Sequence, residues 1–220
     1  SWTDLKNLGV LPVNFPFAEV VKSAAPSSLT TSQLTQLAFD NYADVIKDEM
    51  NTTPMAGDPM HIHMRTDTDI VPKRCYAPRQ VPLHWLPATR TVEAELIKKG
   101  VIIPQIEPTD WQSPAFYVGK GTTGVRLVTD YTYLNKFVKR PVRPFPSAKE
   151  IKQSIKPESK YFAKLDCVNG CFQMAINEES SLKTTFLLPT GRYRYLRGPM
   201  GLAPTLDEWN RKSNEMIAGC

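Results

Sequence analysis

The sequence predicts an α+β protein in which short helices pack on a mixed, largely antiparallel sheet. Alternating apolar and polar residues indicate several short strands after residue 88. Capping residues followed by apolar residues at helical spacing indicate helices between those strands. The 19 prolines outnumber the 11 glycines, so many rigid, non-helical connectors join these elements.

The composition excludes several classes of protein. Of 220 residues, 41% are hydrophobic and 22% are charged, which excludes a disordered chain. No apolar run approaches the roughly 18 residues of a spanning helix, and SWTDLKNLGV lacks the order of a signal peptide. The four cysteines form no CxxC pair, which argues against a zinc site or a disulfide scaffold.

The charge is divided unevenly along the chain. Residues 1–70 hold 4 Lys/Arg and 9 Asp/Glu, a net charge of −5, whereas residues 71–220 hold 23 and 13, a net charge of +10. A basic region of this kind is what a polyphosphate-binding surface needs. Charge alone leaves a solvated basic surface as an equal alternative.

The first half of the chain is predicted to hold few packed elements. Residues 1–30 have the composition of a leader or linker, and Thr31 or Ser32 caps a helix that runs to Ile46. PMHIHMRT alternates apolar and polar residues, as a half-buried strand does. Residues 71–88 carry four prolines and form an extended connector.

The second half alternates strands with helices. Two capping boxes, Ser147 with Glu150 and Thr205 with Glu208, each predict the start of a helix. The other predicted elements are a helix from Ala88 to Lys99 ended by Gly100, strands AFYV and VRLVTDY joined by the turn GKGTTG, strand KYFAKLD, and a hairpin of Thr184–Leu188 and Arg192–Leu196 that turns at PTG.

Asp166 is the candidate acid. In KYFAKLD one face is apolar and Asp166 ends the other, just before the turn residues Asn169 and Gly170. A carboxylate at a strand end is well placed to hold a hard cation such as Mg²⁺. By itself the pattern is weak evidence for a metal ligand and is more typical of a strand-end aspartate that accepts hydrogen bonds from the turn.

Other candidate sites are weaker. His61 and His63 lie two apart and would share a strand face, but the sequence offers no nearby third ligand, so a surface pair is favoured over a metal site. Trp85, Trp111 and Trp209 have the spacing of core residues, although aromatic rings also stack on bases.

A series of strings in fixed order carries a family resemblance: SPAFYVGK, VRLVTDYTYLNK, RPVRPFPS, KYFAKLDCVNGCFQMAI and TTFLLPTGRYRYLRGPMGLAP. Over residues 90–217 the chain resembles the reverse transcriptase of gypsy-type long-terminal-repeat retrotransposons, with retroviruses as more distant relatives. The resemblance implies fingers and the first half of a palm over residues 88–220. Residues 1–87, with one helix and a strand, resemble a protease tail and linker.

The resemblance also implies roles for individual residues. An Asp at the place of Asp166 is one of three carboxylates that hold two Mg²⁺ ions, and the carbonyl at Cys167 touches the metal. Arg126 corresponds to an arginine that contacts the nucleotide phosphates, and Lys120 to a lysine that reaches the γ-phosphate. Asn169, Gly170, Cys171 and Phe172 would lie under the nucleotide sugar, and Pro199, Met200 and Gly201 would support the base and template strand.

Three departures from the family pattern limit this expectation. Cys171 stands where the family has an aromatic ring, which puts selection of deoxynucleotides in doubt. Asp207 and Glu208, in an altered stretch, are expected to be first-turn helix charges. The sequence contains no Asp-Asp pair, the motif that supplies the other two metal carboxylates.

The resemblance therefore implies a magnesium-dependent RNA-directed DNA polymerase that acts on an RNA template, a DNA primer and deoxynucleoside triphosphates. Without the paired aspartates we expect the chain alone to be inactive and to work with the rest of a Pol polyprotein: the remaining palm, the thumb and ribonuclease H. An intracellular location, in the cytoplasm, nucleus or a virus-like particle, is implied. A non-catalytic nucleic-acid-binding module and a decayed retroelement remnant are the alternatives.

Overall fold

The structure, a computed structural model, describes residues 30–43, 46, 49–121, 124–143, 145–157 and 166–217. Its regular elements are the helices α1 (Thr31–Asn41), α2 (Leu86–Lys98), α3 (Ala148–Ser154), α4 (Glu178–Lys183) and α5 (Ala203–Ile217), and the strands β1 (Ile102–Pro104), β2 (Ser113–Lys120), β3 (Gly124–Thr129), β4 (Phe186–Leu188) and β5 (Gly191–Tyr195). Short 3₁₀ turns cover Leu83–Trp85, Leu134–Lys136 and Gly170–Gln173.

The five strands form one sheet in the order β1-β5-β4-β2-β3. The β2–β3 and β4–β5 neighbours are antiparallel hairpins, as the alternating patterns predict. The parallel β2–β4 pair, in register at Ser113 and Phe186, joins the two hairpins into a mixed sheet. The predicted α+β class with a mixed sheet and packed helices is confirmed.

One apolar core fills the space between the sheet and the connecting segments. Its fully buried members include Ile102, Phe186 and Leu202. Met60 and Ile62 are buried in the same cluster, although they precede the predicted boundary at residues 87 and 88. That boundary stays a prediction.

The PMHIHMRT segment shows the predicted alternation without a strand. Met60 and Ile62 point inward and His61 and His63 are exposed, but the backbone makes only isolated bridges, such as that of Met60 to Ile176. The side chains therefore follow the sheet period while the ladder hydrogen bonds of a true strand are missing here.

Two helices with local capping boxes differ in how closely their boundaries were predicted. Ser147 and Glu150 form the expected capping box of α3. Thr30, rather than Thr31 or Ser32, caps α1 in a box with Gln33, and α1 ends at Asn41 instead of reaching Ile46.

The capping box predicted at Thr205 and Glu208 is wrong. Helix α5 begins two residues earlier, at Ala203, and Thr205 lies fully buried inside it. The reason is that the Ala203 amide donates to Asn135 Oδ1 at 2.8 Å, so the partner for this helix end comes from a distant part of the chain.

The strand predicted in KYFAKLD lies outside the described residues up to Leu165, and so do residues 1–29 of the predicted leader. Within the described part, no helix is long and apolar enough to cross a membrane.

Candidate nucleotide and metal site

The Asp166 carboxylate is exposed and begins a tight turn. The Gly170 amide donates to the Cys167 carbonyl at 3.2 Å, and the Phe172 amide donates to the Asn169 carbonyl at 2.7 Å. Asn169 adopts the left-handed conformation, φ 49°, which asparagine tolerates better than most residues. Asp166 and Cys167 thus lie at the surface before the turn, and Cys171, which follows it, is buried.

Gly170 is held against helix α5. A Cβ at this position would lie 2.9 Å from Cζ2 and 3.0 Å from Cε2 of Trp209. Only a residue without a side chain allows this approach, so the indole fixes the turn against α5. The α5 helix therefore takes part in placing Asp166, although Trp209 was assigned to the core on sequence grounds.

Cys171 and Phe172 face the interior. Cys171 is 8% exposed, and burial raises the pKa of its thiol. The Phe172 ring stacks on Tyr195, with 6.0 Å between the ring centroids. Of the four residues expected under the nucleotide sugar, only Asn169 is fully exposed, while Gly170 is half-buried beneath Trp209.

Cys167 is exposed next to Asp166. Partial desolvation of its sulfur, together with the neighbouring Asp166 carboxylate, raises the pKa of the thiol. The thiol is therefore neutral near pH 7, and the metal-binding atom expected from this residue is its backbone carbonyl.

The hairpin of β2 and β3 brings Lys120 and Arg126 together. Val118 pairs with Arg126 and Lys120 pairs with Gly124, so the two basic side chains lie on the same face of adjacent strands. Both are exposed. Arg79 stacks on Phe116 farther along the same face, at 4.7 Å from the ring centroid, and adds a third cation.

Met200 and Gly201 form the turn before α5. Met200 is 45% exposed, and Gly201 has φ 86°, a conformation that favours glycine. The Gly201 position lies close to the end of β3, since a Cβ there would be 3.6 Å from the Thr129 carbonyl. The turn and the basic hairpin are therefore in contact.

Sequence reasoning missed the groups that hold these segments in place. Arg197 is 5% exposed, and it donates to the carbonyls of Gly100 and Phe172, each at 3.3 Å, and of Thr52. Burial lowers the pKa of Arg197. No spacing signal marks such a residue, because its partners are backbone carbonyls scattered along the chain.

The structure corrects the sequence prediction for Asp207. It was expected to be a charge of the first helical turn, but the helix begins at Ala203, so Asp207 lies beyond its first turn, and its fully buried side chain accepts hydrogen bonds from Arg140 and from the Arg143 amide. Glu208 is also paired, with Arg211 at 2.5 Å. Neither is placed as a free surface charge.

The described residues do not by themselves fit a pair of Mg²⁺ ions. No group of three or more His, Cys, Asp and Glu side chains in this part of the chain is arranged to hold a metal. Each divalent ion needs several anionic oxygens, and Asp166 with the Cys167 carbonyl supplies too few. His61 and His63 stack, 6.0 Å apart, as the favoured surface pair.

No protein-family model matches the chain. It is 26% identical over 207 residues, 92% of its length, to an uncharacterised protein of Caenorhabditis elegans. It is 31% identical over 147 residues, 63% of its length, to the retrovirus-related Pol polyprotein from transposon 297 of Drosophila melanogaster. The corresponding polyprotein from transposon gypsy is 30% identical over 129 residues, 56% of the chain.

The chain spans only a small part of these curated relatives: 16%, 14% and 12% of their lengths. Among solved structures, the foamy viral protease-reverse transcriptase in complex with an RNA/DNA hybrid matches 99% of the chain with a TM-score of 0.72 and 21% identity. The native prototype foamy virus enzyme matches 87% with a TM-score of 0.71 and 23% identity. The matched regions are 27% and 25% of the lengths of those two solved chains.

Proposed function

We propose that this chain, a homologue of retroelement Pol polyproteins with the reverse-transcriptase fold, supplies the nucleotide-binding fingers and the first metal carboxylate of an RNA-directed DNA polymerase. The observation that carries the proposal is the coincidence of sequence and fold similarity over the same residues, with Asp166 exposed at the head of the turn that Trp209 fixes.

The basic face of the β2–β3 hairpin has the chemistry to bind the triphosphate. The Arg126 guanidinium presents forked donors that match phosphate oxygens, and Lys120 adds a compact charge on the same face. Asp166 would contribute one of the metal ligands, with the Cys167 carbonyl beside it. Magnesium would activate the primer hydroxyl and neutralise the triphosphate when bound.

Two further carboxylates are required, and the resemblance places them in a paired-aspartate turn that this sequence does not contain. The chain alone is therefore expected to be inactive. The active unit would be an extended polypeptide that carries this chain together with the paired-aspartate segment. RNA template, DNA primer and deoxynucleoside triphosphate are its proposed substrates.

The test is template-primed incorporation of nucleotides by the extended polypeptide with Mg²⁺. Wild type should incorporate, Asp166→Asn should lose at least about a thousandfold in rate, and Asp110→Asn should not change it. Asp110 is a matched control because it is an exposed carboxylate that pairs with Arg74 and has no role in the proposed site. Full activity of Asp166→Asn would refute the assignment of Asp166.

A non-catalytic nucleic-acid-binding module is the second candidate function. The net charge of +10 over residues 71–220 favours it. Binding of an RNA/DNA hybrid by the 220-residue chain should weaken steeply with salt. Binding without any incorporation by the extended polypeptide would favour this candidate over the polymerase.

A further inference from the structure

One side-chain amide joins the Leu134–Lys136 turn to both sides of Leu202. Asn135 Nδ2 donates to the Gly201 carbonyl at 2.9 Å, and Asn135 Oδ1 accepts from the Ala203 amide at 2.8 Å. Both partners lie more than 60 residues away in sequence. The donor and the acceptor of this half-buried side chain are therefore both used by the same short segment.

The start of helix α5 requires a hydrogen-bond acceptor from outside the helix. The first amides of a helix lack intrahelical acceptors, and Leu202, which precedes α5, has no side-chain oxygen to cap them. Gly201 has φ 86°, so the backbone reverses sharply just before the helix. Asn135 acts as a helix cap supplied from a distant part of the chain, and it also holds the carbonyl of the turn.

The clamped turn carries two of the residues assigned to the nucleotide site. Met200 is 45% exposed, and Gly201 sits against the Thr129 carbonyl at the end of β3, the strand that bears Arg126. Asn135 follows β3 by six residues, so its amide fixes the turn to the same hairpin. A small displacement of the turn would change its distance from the basic face of the β2–β3 hairpin, which carries Arg126 and Lys120.

We propose that Asn135 is a positioning residue that sets the Met200–Gly201 turn against the β2–β3 hairpin and thereby shapes the nucleotide site. Because the turn matters to catalysis only in a polymerase, the nucleotide part of this role rests on the proposed function. The amide acts through the turn backbone, to which both of its hydrogen bonds go.

Three variants separate positioning from general stability. Asn135→Leu removes both hydrogen bonds at similar volume. Asn135→Asp keeps an acceptor for the Ala203 amide and loses the donor to Gly201. Glu93→Gln is the control, since Glu93 accepts hydrogen bonds from Tyr117 and Thr190 in a buried cluster of α2, β2 and the β4–β5 turn.

The first measurement is amide hydrogen exchange of the 220-residue chain. Asn135→Leu should speed exchange at Ala203 by about tenfold or more, whereas Asn135→Asp should retain most of the protection. Glu93→Gln should leave Ala203 at the wild-type rate. Wild-type exchange at Ala203 in Asn135→Leu would overturn the clamp. If Asn135→Leu does not fold, loss of protection at Ala203 in Asn135→Asp also overturns the assigned acceptor role.

The second measurement is steady-state incorporation by the extended polypeptide. Asn135→Leu should raise the nucleotide KM about tenfold with kcat within about twofold, Asn135→Asp should lie between it and wild type, and Glu93→Gln should leave KM unchanged. Equal effects of Asn135→Leu and Glu93→Gln would reduce Asn135 to a structural residue. A wild-type polypeptide that incorporates nothing refutes the proposed function and the nucleotide role together, whereas the exchange result judges the clamp alone.

Discussion

Arg140 donates from Nε to the Asp207 carboxylate at 2.6 Å, and this carboxylate is fully buried while 53% of the Arg140 side chain remains exposed. The Arg143 amide donates to the other carboxylate oxygen at 3.1 Å. Asp207 thus ties the segment after the Leu134–Lys136 turn to helix α5. With Asn135 it forms a two-point attachment between the segment that follows β3 and helix α5, which supports the Asp166 turn.

Asp207→Asn should destabilise the protein by about 1–3 kcal/mol at pH 7, because the amide loses the charge that pairs with Arg140 and presents donors to other donors. Urea unfolding measures the difference. Asp67→Asn is the control, since Asp67 and its partner Arg65 are both largely exposed and solvent screens their attraction. Equal stability of wild type and Asp207→Asn would contradict this account of the buried pair.

The advantage of wild type over Asp207→Asn should depend on pH. Burial opposes ionisation of Asp207, but the hydrogen bonds from Arg140 and the Arg143 amide outweigh it and lower the pKa from its ordinary 3.8. A carboxyl whose pKa is lower in the folded state adds stability above the unfolded pKa and loses it as the pH falls. The difference between the two proteins should be constant at pH 6–7 and shrink below about pH 4.

The sequence predicted elements whose determinants are local. The box of Ser147 and Glu150 lies within four residues, and the alternation of AFYV and VRLV depends only on neighbours. Both signals are independent of the rest of the chain, so both survive in the structure.

The failures at helix α5 have the opposite property, since their determinants are distant in sequence. Thr205 looks like a cap, but the true partner of the α5 N-terminus is Asn135. Asp207 was predicted to be a first-turn helix charge, because nothing in the neighbouring sequence indicates its pairing with Arg140, 67 residues earlier. Asp166 and Arg126 were assigned through an ordered series of motifs, whereas the residues that position them were found only from tertiary contacts.

Gly170→Ala should destabilise the protein by about 1–3 kcal/mol, because the new Cβ would lie 2.9 Å from Trp209 and the packed indole must move. Thermal unfolding and Trp fluorescence of the 220-residue chain measure the two effects. Gly119→Ala is the matched control, because its Cβ would meet Trp85 at an ordinary 3.6 Å. A blue- or red-shifted spectrum is expected for Gly170→Ala alone, and identical behaviour of the two variants would contradict the close approach.

Buried tyrosines should make stability fall at alkaline pH. Burial raises the pKa of Tyr195 to about 12, and burial also raises the pKa values of Tyr117 and Tyr131. Because unfolded tyrosine ionises near pH 10, this stabilisation is complete below pH 10 and is lost as the pH rises toward 12. Absorbance at 295 nm should therefore increase sharply when the protein is unfolded with urea at pH 11.

Tyr195→Phe tests the assignment. It loses the hydrogen bond to Thr129, 3.2 Å long, and should cost about 0.5–1.5 kcal/mol at pH 7, yet its stability should fall less steeply between pH 9 and pH 11. Tyr76→Phe, at a side chain that is 82% exposed, should leave the slope unchanged. Parallel pH profiles of wild type and Tyr195→Phe would show that this phenol ionises without unfolding.

Arg126→Ala should raise the nucleotide KM of the extended polypeptide about tenfold or more, since charge-assisted hydrogen bonds to phosphate are worth about 1.5–3 kcal/mol. Arg126→Lys should recover part of the loss, because it restores the charge without the forked donors. Arg90→Ala removes another exposed arginine, from α2, and should have no effect.

Lys120→Ala tests whether Lys120 and Arg126 hold the same triphosphate. If they do, the nucleotide KM of the double variant should rise by less than the product of the two single-variant increases, since residues that share a ligand are coupled. An increase equal to the full product would show that Lys120 does not bind the triphosphate together with Arg126.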